Sequence, residues 1–100
     1  MAEQNRNKKQ YSLITEIMGK VHRIKTWPQH FKEVKFGKKR FELRVNDRDY
    51  KTGDILELHE YIPKEEIYSG EICHATVDYI LHGPAFGLEK GSCIMSITVI

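Results

Sequence analysis

Residue types that mark several common kinds of site are scarce in this chain of 100 residues. There are only two cysteines, Cys73 and Cys93, and both lie in apolar, strand-like runs. His74 follows Cys73 directly, so on a strand its side chain points to the opposite face, and a zinc site would need further ligands. We therefore expect no metal site and no disulfide, with both cysteines buried as small core residues.

Long apolar runs and familiar catalytic motifs are also missing. No stretch approaches the ~18 apolar residues needed to cross a bilayer, and the polar segment Met1–Gln10 lacks the apolar centre of a secretion signal. The chain has no phosphate-binding glycine loop and no zinc motif. It also lacks Ser, His and Asp in the order along the chain that is typical of a hydrolase triad. We expect a cytoplasmic protein that makes no membrane contact and carries no cofactor.

The length allows one modest core, because a domain of this size buries somewhat over ~60% of its unfolded surface. Met1–Gln10 is polar without periodicity, which is typical of a tail. Apolar residues recur at helical spacing over Tyr11–Met18, which predicts a short helix that packs onto the domain, pairs with a second copy or is an extension. The predicted organisation is a tail with this helix over residues 1–20 and one domain over residues 21–100.

Charge is distributed unevenly along the chain. The segment Lys20–Lys51 holds 11 basic and four acidic residues, whereas the segment from Thr52 onward holds two basic and eight acidic residues. A basic half suits a ligand that bears phosphate, and the acidic half argues against wrapping of duplex DNA. The alternative is that the two halves neutralise each other across a folded sheet.

The first predicted elements are a strand over Val21–Lys25 and a helix that begins near Thr26. Thr26 is a candidate N-cap, Gln29 can complete a capping box, and Pro28 is tolerated in the first turn. We expect Trp27 to share the buried helix face with Phe31 and Val34. Gly37 suits the left-handed residue that ends a helix.

Three further strands are predicted over Ile55–Tyr61, Glu71–Leu81 and Ser92–Ile100. The second alternates cleanly, with Cys73, Ala75, Val77, Tyr79 and Leu81 on one face. With the strand that follows Gly37, the chain has about five strands and one principal helix. The predicted fold class is mainly β with one or two helices (α+β), arranged as a small open or closed barrel.

The segment Gly37–Arg44 combines four basic residues and one acid with strand-like alternation. On a strand, Phe41, Leu43 and Val45 share one face, which we expect to face the core. Arg40, Glu42 and Arg44 share the other face, which we expect to form a charged surface. A carboxylate between two guanidinium groups favours a recognition site for something anionic and planar.

Gly37, Lys39, Glu42 and Arg44 match the signature G-x-K-x-x-E-x-R. Through it the chain resembles the ASCH domains of the PUA-like superfamily, over about residues 21–99, and in particular a small uncharacterised bacterial and phage branch. The resemblance implies a PUA-like β-barrel with a helix beside a cleft, and it places Lys39, Glu42 and Arg44 at that cleft. Some ASCH proteins are amidohydrolases that deacetylate modified cytidine with a Lys, a Thr and a Glu. At the position of that Thr, this chain has Glu42. A carboxylate cannot serve as the same hydroxyl nucleophile.

The candidate binding residues have competing structural roles. Glu42 and Arg44 are either ligand groups or a structural ion pair, and His22 is either a base or a core histidine. The loop Asn46–Arg48 can bind a base edge and a phosphate or cap its own turn. Tyr50 and Tyr68 are candidates for stacking on bases. The full set is His22, Lys25, Lys39, Glu42, Arg44, Asn46, Asp47, Arg48, Tyr50 and Tyr68.

These residues predict a small RNA- or nucleotide-binding module. In it, Lys39, Arg44 and Arg48 hold phosphate or a base edge, and Glu42 orients Arg44. One alternative is an amidohydrolase acting on a modified nucleoside such as acetylcytidine, with Lys39 as base and Glu42 as its partner. Another is a protein interaction module that docks a partner through the Tyr11–Met18 helix.

Overall fold

The structure is a computed structural model that describes residues 19–100. The predicted polar segment Met1–Gln10 and the predicted helix Tyr11–Met18 lie outside these residues. Within the described part of the chain, no helix is long and apolar enough to span a membrane.

Residues 19–100 form five strands and one helix, which confirms the predicted mainly β, α+β class. The strands make a single sheet in the order β1-β3-β4-β5-β2. β1 runs parallel to β3, and the other neighbouring strands are antiparallel. The elements are β1 (Val21–Thr26), α1 (Pro28–Lys35), β2 (Phe41–Val45), β3 (Ile55–Ile62), β4 (Ile67–His82) and β5 (Ser92–Val99).

The sheet curls into a half-barrel whose two edges are β1 and β2. Strand β4 makes the curl, because its first part pairs with β3 and its second part pairs with β5. The edges meet through side chains. Arg44 Nη2 donates a hydrogen bond to the Lys25 carbonyl at 3.3 Å, and Arg48 Nη1 donates one to the Arg23 carbonyl. Two guanidinium groups therefore bridge the edges where a closed barrel would have a ladder of backbone hydrogen bonds.

The core lies between α1 and the concave face of the sheet. Phe31 and Val34 are the buried residues of α1, as their shared helix face predicted, and α1 packs against β3. Cys73 and Cys93 are buried, as predicted, and burial raises the pKa of both thiols. The buried cluster consists of Ile24, Phe31, Val34, Tyr50, Leu56, Leu58, Cys73, Ala75, Val77, Cys93, Met95 and Ile97.

The start of α1 differs from the prediction. Thr26 is the last residue of β1 and is buried, so it does not cap the helix. The N-cap is Trp27, which has an extended backbone and no side-chain capping bond, so the capping box with Gln29 is also wrong. Trp27 lies outside the helix and is 49% exposed, and the prediction that it shares the buried helix face is wrong. The end of the helix is as predicted, with Gly37 at φ +78°.

Strand β4 alternates as predicted only as far as Val77. The register shifts between Val77 and Tyr79, which is the signature of a bulge. Beyond the bulge the faces exchange, so Tyr79 is 66% exposed and Ile80 packs against the core. The prediction that Tyr79 continues the buried face is therefore wrong, because one extra residue reverses the direction of every later side chain.

Candidate functional site

In strand β2, the face that was expected to be buried is exposed, and the face that was expected to be exposed contains a buried residue, Glu42. Glu42 is only 2% exposed, whereas Leu43 is 57% exposed, and Phe41 and Val45 are exposed as well. The cause is the register with β5, where Glu42 lies opposite Met95 and cross-strand partners share a face. Met95 is a core residue. The pairing therefore directs Glu42 to the concave side of the sheet and its apolar neighbours to the outside.

The Glu42 carboxylate lies between two cations. Lys39 Nζ donates to Glu42 Oε1 at 3.0 Å, and Arg44 Nε donates to Glu42 Oε2 at 3.1 Å. Both cations keep part of their surface in water. Because each carboxylate oxygen has its own charged donor, this buried acid is compensated, and the two cations are held side by side.

These side chains line a cavity of about 440 Å³ at the open side of the half-barrel, which we call the cleft. Its volume lies within the range of about 300 to 1,000 Å³ that is usual for small-ligand sites. Three cations and one carboxylate line it, so the cleft carries an excess of positive charge that suits an anion. The lining residues are Lys25, Thr26, Trp27, His30, Lys39, Phe41, Glu42, Leu43 and Arg44.

Besides the charged side chains, the residues that line the cleft include two large aromatic residues and a buried threonine. Trp27 and Phe41 are large aromatic residues that are about half exposed and line the cleft, so their rings are accessible to a ligand. Thr26 is 3% exposed, and its Oγ1 has no hydrogen-bond partner among the described residues. A buried hydroxyl of this kind normally has a partner, so Thr26 Oγ1 is an unusual polar group beside the cleft.

His22 and Tyr50, two of the predicted site residues, belong to the core. His22 Nε2 and Asp54 Oδ2 share a buried hydrogen bond of 2.7 Å. Asp54 also accepts bonds from the amides of Lys20 and Lys51. The Tyr50 ring packs against the edge of His22 at 4.8 Å, and burial raises the pKa of the Tyr50 phenol. Tyr50 is buried, which contradicts the expectation that its ring is free to stack on a base.

The loop after β2 is organised by local and edge contacts. Asn46 Oδ1 accepts a hydrogen bond from the Tyr50 amide at 3.0 Å, so Asn46 caps its own turn. Arg48 bonds to the backbone of β1, as described above. Asp47 is exposed and does not line the cleft. Of the predicted set, Lys25, Lys39, Glu42 and Arg44 come together at the cleft, and the Asn46–Arg48 loop lies outside it.

Tyr68 lies on the convex face of the sheet, away from Lys39 and Glu42. It is 56% exposed and lines a smaller cavity of about 240 Å³ together with Arg23, Ile24, Lys25 and His59. Nearby, Glu57 binds both His59 and His74. Their hydrogen bonds lower the pKa of the Glu57 carboxyl, with that from His59 the stronger cause. No group of three His, Cys, Asp or Glu side chains within residues 19–100 is arranged to hold a metal ion.

The part of the chain that builds the sheet and the cleft is also the part that matches a known family. Residues 21–97 match the family described as domain of unknown function DUF3850. The chain belongs to the DUF3850 family. The match begins at the first residue of β1 and ends within β5, so the DUF3850 domain includes α1, the first four strands and most of β5.

A phage protein is similar to part of this DUF3850 domain. It is described as an uncharacterized 12.9 kDa protein in the GpA 3' region of Escherichia phage P2, and it is 38% identical over 61 residues. The alignment covers 61% of this chain. The chain spans 54% of the length of that relative.

Sequence reasoning missed several residues that line the cleft of the DUF3850 domain. Thr26 follows His22 and Ile24 at strand spacing, and that phase indicates an inward side chain. Trp27 precedes Pro28, and a residue before proline is biased toward extended backbone, so it could have been placed before the helix. His30 and Phe41 carry no comparable signal, because only the fold brings them to the cleft.

Proposed function

We propose that this DUF3850 domain is a small RNA- or nucleotide-binding module and that the cleft holds the anionic ligand. The observation that carries the proposal is the buried Glu42 carboxylate, which fixes Lys39 and Arg44 side by side. Only one of the cations lining the cleft is balanced by this acid, which leaves positive charge for a phosphate.

Arg44 is the residue best prepared to bind phosphate or a base edge. Its Nε is occupied by Glu42 and one Nη2 donor by the Lys25 carbonyl. A guanidinium has five N–H donors, so others stay available in a plane that is already oriented. Glu42 thus acts on the ligand through Arg44, by setting the direction of the guanidinium.

Trp27 and Phe41 supply the contacts that an unpaired base requires. Both rings line the cleft and are partly exposed, and Lys39 Nζ lies 5.0 Å from the centre of the Phe41 ring. Stacking of a base on an aromatic ring contributes about 1 to 3 kcal/mol and tolerates any base. Together with the cations, these rings favour a nucleotide over a simple inorganic anion.

The motif and the half-barrel support a relationship to the ASCH domains of the PUA-like superfamily. Lys39, Glu42 and Arg44, the signature residues, share one wall of one cleft. Gly37 ends the preceding turn with a positive φ that favours glycine. In an ASCH-like site, Lys39, Glu42 and Arg44 would face the bound ligand together.

Matched lysine variants test the proposed function. Lys39→Gln removes a charge from the cleft and retains a donor for Glu42, whereas Lys38→Gln removes the same charge from a neighbouring exposed residue. Fluorescence anisotropy of a labelled short RNA at low salt should show binding about tenfold weaker for Lys39→Gln. Lys38→Gln should stay within about twofold. Equal losses in the two variants, or no binding by the wild type, would refute the proposal.

A second candidate is hydrolysis of an amide on a modified nucleoside such as acetylcytidine. The observation that favours it is that Thr26 lines the cleft with Lys39 and Glu42 and has a buried hydroxyl without a hydrogen-bond partner among the described residues. Incubation with acetylcytidine, followed by chromatography, should then show deacetylation that Thr26→Val abolishes. If the wild type gives no more product than buffer, the enzymatic candidate is excluded and the binding proposal is unaffected.

A further inference from the structure

The convex face of the sheet carries a pair of tyrosines that the cleft does not use. Tyr61 on β3 and Tyr68 on β4 are cross-strand partners, and their ring centres are 5.0 Å apart. The His59 ring lies 6.2 Å from that of Tyr68. Adjacent rings on the open face of a sheet are the arrangement on which sheet-based RNA-binding domains stack successive bases.

Cations accompany these rings. Lys25 Nζ lies 4.1 Å from the centre of the Tyr61 ring, and the Arg23 side chain is largely exposed on the same strand. The carboxylate of Glu57, on the neighbouring strand, is occupied by Arg23, His59 and His74. A face with aromatic rings and cations favours a ligand that has both bases and phosphates over an apolar protein segment.

This face is continuous with the cleft through a single side chain. Lys25 lines the cleft together with Thr26 and Trp27, and it also lines the smaller cavity together with His59 and Tyr68. The edge of β1 is therefore a route from the cleft to the tyrosines. We call the group formed by Lys25, His59, Tyr61 and Tyr68 the tyrosine patch.

We propose that the ligand is a single strand of RNA, which places one nucleotide in the cleft and crosses the edge of β1 so that the next bases stack on the tyrosine patch. This inference rests on the proposed function and adds the class of ligand, an unpaired oligonucleotide in place of a free mononucleotide. Lys25 contacts the phosphate between the two sites. Tyr68 stacks on the base that leaves the cleft.

Binding should then depend on the length of the RNA. The wild type should bind a hexanucleotide at least about tenfold more tightly than the mononucleotide of the same base, since each further stack adds affinity. Tyr68→Ala should weaken hexanucleotide binding by about five- to 100-fold and leave mononucleotide binding unchanged. Tyr68→Phe should retain the wild-type affinity, because its ring still stacks. Anisotropy and competition titrations at low salt measure these constants.

Tyr79→Ala is the matched control, because Tyr79 is an exposed tyrosine on the same strand outside the patch. It should bind both ligands as the wild type does. If Tyr68→Ala behaves like Tyr79→Ala, or if the mononucleotide binds as tightly as the hexanucleotide, the tyrosine patch is not part of the site and only the cleft proposal survives. If neither ligand binds the wild type, the proposed function itself fails. Thermal unfolding of each variant separates a loss of fold from a loss of binding.

Discussion

Several carboxylates of the described residues are each bound by more than one partner, among them Glu42, Asp54 and Glu57. Glu42 bonds Arg44 as one of the expected alternatives had it, but its second partner is Lys39. The guanidinium of Arg40, which was expected beside Glu42, instead donates to the Gly37 carbonyl. Asp54 instead bonds His22 from 32 positions away, and no local pattern predicts that pair. The Glu42–Arg44 pair, formed by neighbours in the chain, could be anticipated from the sequence, whereas the Asp54–His22 pair, which the fold brings together, could not.

Removal of the Glu42 charge should destabilise the domain. Glu42→Gln keeps the shape of the side chain but weakens two charge-assisted hydrogen bonds and leaves two cations close together. We expect the free energy of unfolding to fall by about 1 to 3 kcal/mol in urea denaturation. Glu89→Gln, at an exposed position, should change it by less than about 0.5 kcal/mol. Comparable effects in the two variants would mean that Glu42 is not the compensated acid described here.

Glu57 should make the stability depend on acid. Hydrogen bonds from His59 and His74 lower the pKa of Glu57 from its ordinary value of 4.5. Its ionised form therefore stabilises the folded state above about pH 4.5, and this stabilisation is lost as the pH falls through the lowered pKa. Between pH 5 and pH 3, below the usual titration range of histidine, the wild type should lose more stability than Glu57→Gln. The control Glu65→Gln should follow the wild type, and parallel curves for all three proteins would count against this role of Glu57.

At the scale of elements, the positions of the strands could be predicted from the sequence. Which side chains of a strand face the core could not be predicted for every strand. The five strands and α1 follow from periodicity and turn residues, and Gly37 ends its turn as expected. Alternation failed on β2 because it assumes that apolar side chains face the core. Here Glu42 faces the cleft from the concave side of β2, whereas the apolar residues of this edge strand are exposed on its other face, from which Phe41 and Leu43 still border the cleft. On β4 it failed at a bulge between Val77 and Tyr79, which alternation cannot show.

A pair of leucine variants tests the orientation of β2. Leu43 is exposed on β2, whereas Leu58 on β3 is fully buried. Leu43→Ala should change the free energy of unfolding by less than about 0.5 kcal/mol. The same substitution at Leu58 should cost about 2 to 5 kcal/mol, because it leaves a cavity in the core. A large loss at Leu43 would show that the apolar face of β2 points inward, contrary to the structure.

At the scale of the whole molecule, the charge asymmetry of the chain is partly neutralised and partly kept. Salt bridges between Arg23 and Glu57 and between Lys35 and Glu71 join the basic half to the acidic half, as the alternative reading of the composition predicted. The cleft, however, is lined by residues of the basic half alone. Composition predicted a basic surface, but only the curl of the sheet, which brings β1 next to β2, could locate it.

The most direct test of the account is a titration of the ¹⁵N-labelled domain with a short single-stranded RNA at low salt, followed by amide chemical shifts. The largest changes in chemical shift should occur at Thr26, Trp27 and the Lys39–Arg44 segment, which surround the cleft. These changes should disappear as the salt concentration is raised, because salt weakens the contacts between cations and phosphates. Changes confined to residues far from the cleft, or no change at a large excess of RNA, would contradict the claim that the cleft holds a nucleotide.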